Sequence, residues 1–271
     1  MNWIDQLPAE LQTYQDRFLA TVRPYVQLQI ETEAPTKRWH SALGRILYWP
    51  AEQAWPTDEN GRPLFGLLQL NLAELPPLNG FPSHGLLQFF LCDDAFWGAN
   101  PLTPQQQANF RVVYHDHQAP EKTPLLDDFS FLPLYEDLPL QRDICLAVTG
   151  TLSEMPMPPQ DYRFEATLQD IFSAFGDQQW DILGAYKKAI GTVGHRLGGY
   201  ASFVQEDPRQ VDDATPWELL LQLDTDPKVG LMWGDYGVAH WFYTPKPTER
   251  SLEAAPSGID FGEIWYGWES S

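Results

Sequence analysis

The chain has 271 residues, 43% of them hydrophobic and 11 of them Trp, which is enough for one large core and excludes a disordered chain. Its 17 Lys+Arg stand against 37 Asp+Glu, a formal net charge of -20. That field repels phosphate backbones and anionic headgroups, so neither nucleic acid nor a membrane surface is expected as a partner; the acids are read first as keeping a tryptophan-rich surface soluble, and a basic protein or peptide is the alternative they suit. Cys92 and Cys145 belong to no C-x-x-C pattern, so neither a zinc site nor a disulfide framework is expected. The opening "MNWIDQLPAELQ" is too polar for a signal peptide, and no apolar run approaches the ~18 residues of a membrane span. A soluble, cytoplasmic chain is the expectation.

In chain order, Leu7, Leu11, Tyr14, Phe18 and Val22 recur at helical spacing and predict an N-terminal helix over about 8–22, opened by Pro8 and closed by Pro24. In "YVQLQIET" Val26, Leu28 and Ile30 alternate with polar residues, the pattern of a strand with one wet face. A proline-punctuated stretch follows residue 115. "ICLAVTGTL" (144–152) predicts another strand, and two helices are predicted from Ala166 to Gly176 and from Gln178 to Gly191.

An internal repeat organises the rest. "LGRILYWPAE" from Leu43 matches "LGGYASFVQE" from Leu197, so that Gly44 and Glu52 pair with Gly198 and Glu206 at an offset of 154. "LLQLN" and "LLQLD" pair Gln69 with Gln222 at 153, "GLLQFFL" and "GVAHWFY" pair Gln88 with His240 at 152, and Phe110 pairs with Phe261 at 151. An offset that falls by one at each connection is what loop-length changes produce. Two copies of a β-rich unit are therefore expected, about 43–116 and 197–267, related by a pseudo-twofold axis. With an N-terminal helix and further helices before the second unit, the predicted class is α+β.

"LGGYASFVQEDPR", "ELLLQLDTD" and "MWGDYGVAHWFY", with "YWP", "GRPLFGLLQLNLAELPPLNGFPSHGLLQFFLCDD" and "FRVVY" in the first half, resemble the signatures of the YwqG-like family, a bacterial domain of unknown function. The resemblance covers roughly 36–268 and implies one domain, 1–271, built on a duplicated β unit. It implies no particular reaction; some relatives resemble accessory or immunity-type proteins. Where the family often has Gly-Gly, this chain has Gly44-Arg45, so the second position is expected to lose access to positive φ.

Candidate sites are few. "HRLGGYASFVQEDPR" (195–209) reads as turn, strand and loop, because a phosphate loop would need the strand before the glycines and a helix after them. Its tail offers Glu206 or Asp207 as an acid and Arg209 as an anion clamp, with His240 as a base. Gln69 and Gln222 interrupt leucine runs; on a strict period of two, Gln222 shares a face with Leu220. Either these amides latch a neighbouring backbone, or Gln69, Gln88, Gln222 and His240 line a groove between the copies, with Trp233 and other tryptophans at its rim. "HDH" (115–117) and "DTD" (224–226) lack the further ligands a metal site needs, and no metal or cofactor is expected. No G-x-S-x-G, Walker loop or H-E-x-x-H is present. The expected function is thus a noncatalytic protein- or peptide-binding module. The alternatives are a hydrolase using Asp207, Arg209 and His240, and carbohydrate binding through exposed aromatics.

Overall fold

Strand alternation in the sequence is realised, among the described residues, as ten strands: β1 (Arg23–Ile30), β2 (Ala42–Leu43), β3 (Phe65–Asn71), β4 (Leu86–Leu91), β5 (Phe110–His115), β6 (Leu146–Met155), β7 (Arg196–Gly198), β8 (Glu218–Asp224), β9 (Val238–Tyr243) and β10 (Ile264–Glu269). The computed structural model describes residues 3–209, 216–245 and 258–271. All ten strands join one antiparallel sheet in the order β10-β9-β8-β7-β1-β6-β2-β3-β4-β5. The order reads alike from both edges, because the first strand of each half lies beside the second strand of the other half. Val26 and Gln27 pair with Leu197 and Arg196, as Leu146 and Ala147 pair with Leu43 and Ala42, and the Gln29–Thr149 pair lies at the centre.

The α+β expectation is therefore overturned: the fold is β-rich, a sheet curled into a nearly closed barrel with few helices. The two β-rich halves fuse through exchanged strands into one layer instead of packing as separate units. Inward side chains from opposite arms meet across the interior, with ring centroids 5.2 Å apart for Phe89 and Trp241 and 5.0 Å for Phe110 and Tyr266. The loop ahead of β5 reaches β10, where Tyr266 N–H donates to Pro104 O at 2.9 Å. The helices, α1 (Gln15–Leu19), α2 (Phe164–Thr167), α3 (Gln169–Ser173) and α4 (Gln179–Ile190), are short. They cover one patch, with Phe18, Phe172 and Tyr186 packed against Tyr25, Met155 and Tyr200. The helix predicted over 8–22 forms only partly: a 3₁₀ stretch, Ala9–Tyr14, runs into the five residues of α1.

Two sequence details change. Phe110 opens β5, whereas Phe261 lies in the turn before β10; the ladders set Phe110 opposite Leu91 and Ile264 opposite Tyr243, so Ile264 is the register counterpart of Phe110. Arg45 does take positive φ, at 40°, beside Gly44 at 74°, where the second half has Gly198 and Gly199 at 73° and 75°. The turn is fixed by its surroundings: a Cβ on Gly44 would lie 2.2 Å from Ile144 O, so the chain must bend there whichever residue follows. An exposed arginine then bears left-handed strain. Arg45→Gly is expected to raise stability by about 0.5–1 kcal/mol despite the added freedom of the unfolded chain, while Gly44→Ala lowers it. Urea titrations at matched m-value check both.

Candidate functional site

The outer face of each arm is built the same way. A β-bulge interrupts β3 between Gly66 and Leu68, and another interrupts β8 between Leu219 and Leu221. The bulge resets the alternation, so Gln222 shares the outer face with Leu219 rather than Leu220, and Leu220 and Leu221 both enter the main core. Gln69 then sits opposite Gln88, and Gln222 opposite His240.

All four are buried, and each binds protein. Gln69 Nε2 donates to Arg38 O and His40 O at 3.0 and 2.8 Å; Gln222 Nε2 donates to Gly194 O at 2.9 Å and its Oε1 accepts from Ser202 N–H at 2.9 Å. Gln88 Nε2 donates to Tyr48 O at 2.7 Å and to Gln69 Oε1 at 2.9 Å; His240 Nε2 lies 2.8 Å from Ser202 O. These polar groups latch the segments 38–48 and 194–202 onto the sheet. The pairs stand on separate arms, with β7, β1, β6 and β2 between them, so the four do not line a common groove. Trp233 is also away from any rim: it is fully buried against Trp97 and Trp241.

The arms differ in what covers them. Over β4 and β5, Trp49, Trp55, Phe90 and Val113 pack together with Leu126, which comes from an extended strap after β5. The strap runs antiparallel to residues 49–51: Ala51 N–H donates to Pro124 O at 3.0 Å and Leu126 N–H to Trp49 O at 2.8 Å. In the other arm Phe203, Arg209, Phe242 and Gly267 take the places of Trp49, Trp55, Phe90 and Val113. Trp55 lies 5.1 Å from Trp49 and 5.3 Å from Phe90, and its indole N–H donates to Leu64 O. The Arg209 guanidinium lies 5.8 Å from Phe203 and 4.7 Å from Phe242, and donates to Trp217 O. Arg209 thus has a counterpart in the first half, of unlike chemistry.

No strap crosses this second arm among the described residues. A cleft of about 500 Å³ opens there, lined by Phe203, Phe242, Trp265, Trp268, exposed Phe96 and the backbone of Gly267, with Glu206 and Glu269 among its acids and His240 in its wall. A Cβ on Gly267 would meet nothing within 4 Å. The volume is in the range of small-ligand sites. Glu269 accepts from Val204 N–H and, at 3.3 Å, from Gln205 N–H. Burial, with Asp207 nearby, raises its pKa against those bonds.

The structure brings Asp207, Arg209 and His240 into one neighbourhood around Phe242, but each is engaged. Asp207 takes Arg209 Nε at 2.9 Å and Nη2 at 2.7 Å, and also accepts from Tyr162 N–H at 3.0 Å. Arg209 also lies 3.4 Å from Asp161, which is chelated by Arg163 and was not singled out from the sequence. Asp161 stays below the usual carboxylate range because the hydrogen bonds and charges of Arg163 and Arg209 outweigh its burial. His240 is pushed down to about 3, first by burial, the bond to Ser202 O opposing and the charges of Arg209 and Arg196 adding. An imidazole so held is neutral near pH 7 and, against that carbonyl, acts as a donor. His115 and His117 stack 5.7 Å apart, but they bond Gln88 and Tyr48, and no group of three metal-ligating side chains occurs among the described residues.

The molecule is a β-rich protein whose described residues strap one arm and leave the other uncovered. It belongs to the family described as Domain of unknown function (DUF1963), whose model matches residues 41–269. A search of curated proteins finds no match. No described helix is long and apolar enough to cross a membrane.

A histidine held near 3 in the folded chain and near 6.5 unfolded loses protons on folding, so its contribution is full above pH 6.5 and drains away as pH falls toward 3. His240→Gln, which copies Gln88, keeps a donor for Ser202 O and removes that titration. The slope of unfolding free energy between pH 6 and 4 should flatten relative to wild type by up to about 1.4 kcal/mol per pH unit, read by denaturant unfolding across pH.

Proposed function

We propose that this chain is a noncatalytic binding module of the accessory or immunity type, and that it holds a peptide or protein segment in the cleft over Gly267. One observation carries the reading: among the described residues, nothing covers the outer face of the second arm as the strap covers that of the first. Above buried Phe203 and Phe242, half-buried Trp265 and Trp268 and exposed Phe96 offer apolar area, and Glu206 and Glu269 add negative charge. A chain of net charge -20 attracts basic partners at long range and repels acidic ones. Of the nominated ligand residues, Glu206 and His240 belong to this site.

The binding reading is favoured over a hydrolase because the acid, guanidinium and imidazole that would do chemistry are spent on internal bonds. A base must reach its proton at hydrogen-bonding distance with a pKa near the working pH, and His240 has neither property. We also propose that the two halves descend from one duplicated unit in a YwqG-like lineage. The matching bulges in β3 and β8 and the matching latches of Gln69 and Gln222 support it. A cytoplasmic setting accords with Cys92 and Cys145 both being free thiols.

The test is a peptide array and a glycan panel applied to wild type and to Gly267→Val, which sets at this position the side chain that Val113 has in the other arm and so obstructs the cleft floor. Peptides with basic residues are expected to bind wild type, to quench tryptophan fluorescence and to lose at least about tenfold in affinity in the variant. Gly267-dependent binding of glycans alone, or turnover of any panel member, overturns the proposal.

A further inference from the structure

The first arm shows what kind of chain fits such a surface. Its strap crosses the outer face as Thr123-Pro124-Leu125-Leu126, an extended run opened by a proline and followed by Asp127 and Asp128. Leu126 packs against the cluster built on Trp49 and Phe90, which Val113 also joins. Tyr48 O–H donates to Thr123 Oγ1 at 3.0 Å, and Arg38 holds the far end through Leu126 O and Asp127. The backbone groups that receive the strap are Ala51 N–H and Trp49 O.

Among the described residues, their counterparts in the second arm, Gln205 N–H and Phe203 O, carry only long bonds to side chains. Gln205 N–H meets Glu269 Oε1 at 3.3 Å, and Phe203 O accepts from Gln160 Nε2 at 3.3 Å. Beneath them Phe242 and Trp265 stand where an apolar side chain would seat, and Gly267 leaves the room that Val113 takes up in the other arm. Backbone groups held only by such long side-chain bonds, beside an apolar trough, can exchange them for the shorter bonds of an added strand.

Building on the reading of this cleft as a binding site, we infer that its occupant is an extended segment of another protein, carrying adjacent leucines after a turn-opening proline and flanked by basic residues. It lies antiparallel to 203–205, takes Gln205 N–H and Phe203 O as its backbone partners, and sets one leucine over Gly267. The flanks differ in sign from those of the strap because the acceptors differ. The strap's Asp127 answers Arg38. The open cleft has Glu206 and Glu269, and its guanidinium, Arg209, is already held by Asp207.

The experiment is fluorescence anisotropy on the full chain with the labelled peptide KTPLLKK, the strap sequence with its two acids made basic. The controls are KTPSSKK and KTPLLDD. KTPLLKK is expected to bind, KTPSSKK to bind at least about tenfold more weakly for loss of the apolar contacts, and Gly267→Val to abolish the difference. Should the valine variant fold poorly, exposed Glu206→Lys serves instead: it is expected to weaken KTPLLKK and strengthen KTPLLDD, both effects shrinking with salt. Amide exchange at Gln205 should slow on binding. Equal binding of KTPLLKK and KTPSSKK, or affinity indifferent to both variants, overturns the inference. If other array peptides still bind in a Gly267-dependent way, only the occupant is wrong. If no peptide depends on Gly267, the reading of the cleft falls too.

Discussion

Two buried polar pairs, Gln69 with Gln88 and Gln222 with His240, decide what the outside of this barrel looks like. An amide or imidazole taken out of water must find partners or cost on the order of 1–3 kcal/mol. Here the partners are backbone groups of passing segments, His40 O and Tyr48 O in one arm, Gly194 O and Ser202 O in the other. Each bond ties an irregular segment across the sheet at a fixed height. Trp49 and Phe203, one residue beyond the tied carbonyls, are thereby set over the outer face as walls. Without these latches there would be no surface for a strap to complete or a cleft to form.

From the same frame, two exchanges make the arms diverge. Val113 becomes Gly267, removing the side chain that helps close the first face, and Trp55 becomes Arg209. The guanidinium keeps the indole's stacking position and its bond to a backbone carbonyl, but it brings a buried charge that must be neutralised. Asp207 and Asp161 do that, and Asp161 in turn engages Arg163, which reaches Glu218 at 2.8 Å. Sequence reasoning saw the acid and arginine of "QEDPR" and read possible chemistry into them. In the structure their charges face each other, and the network stiffens the cleft's wall.

The sequence carried the frame in its spacing. Gly44 with Gly198, Gln69 with Gln222 and Gln88 with His240 occupy corresponding register positions because strands tolerate no change of length. The last pairing, Phe110 with Phe261, slipped: similar residue types on either side of a strand start outweighed register, which only the ladder reveals. The bulges escaped notice because an extra residue in a run of leucines leaves no polar mark. The class was misread for a topological reason. Helical spacing was visible near residues 166–190, but exchange of β1 and β6 between halves, which merges two sheets into one, has no local signal. Trp55 and Arg209 could have been matched by their 154-residue separation, yet unlike side chains conceal a shared position.

Rigidity bears on function as well. The cleft's walls are held by bonds that exist without a ligand: Phe203 by its neighbour Ser202, Trp268 by its indole N–H on Phe96 O at 2.8 Å, and Val204 by Glu269. A surface ordered in advance does not spend binding energy on arranging itself, so modest apolar burial and two backbone bonds can hold a short extended segment. Catalysis asks for the opposite distribution, with groups held near the reacting atoms but left free to exchange protons. Here the acid, guanidinium and imidazole that could do chemistry are tied by internal bonds while Phe96, Trp265 and Trp268 leave apolar area open, and that division of labour favours holding a chain over cutting one.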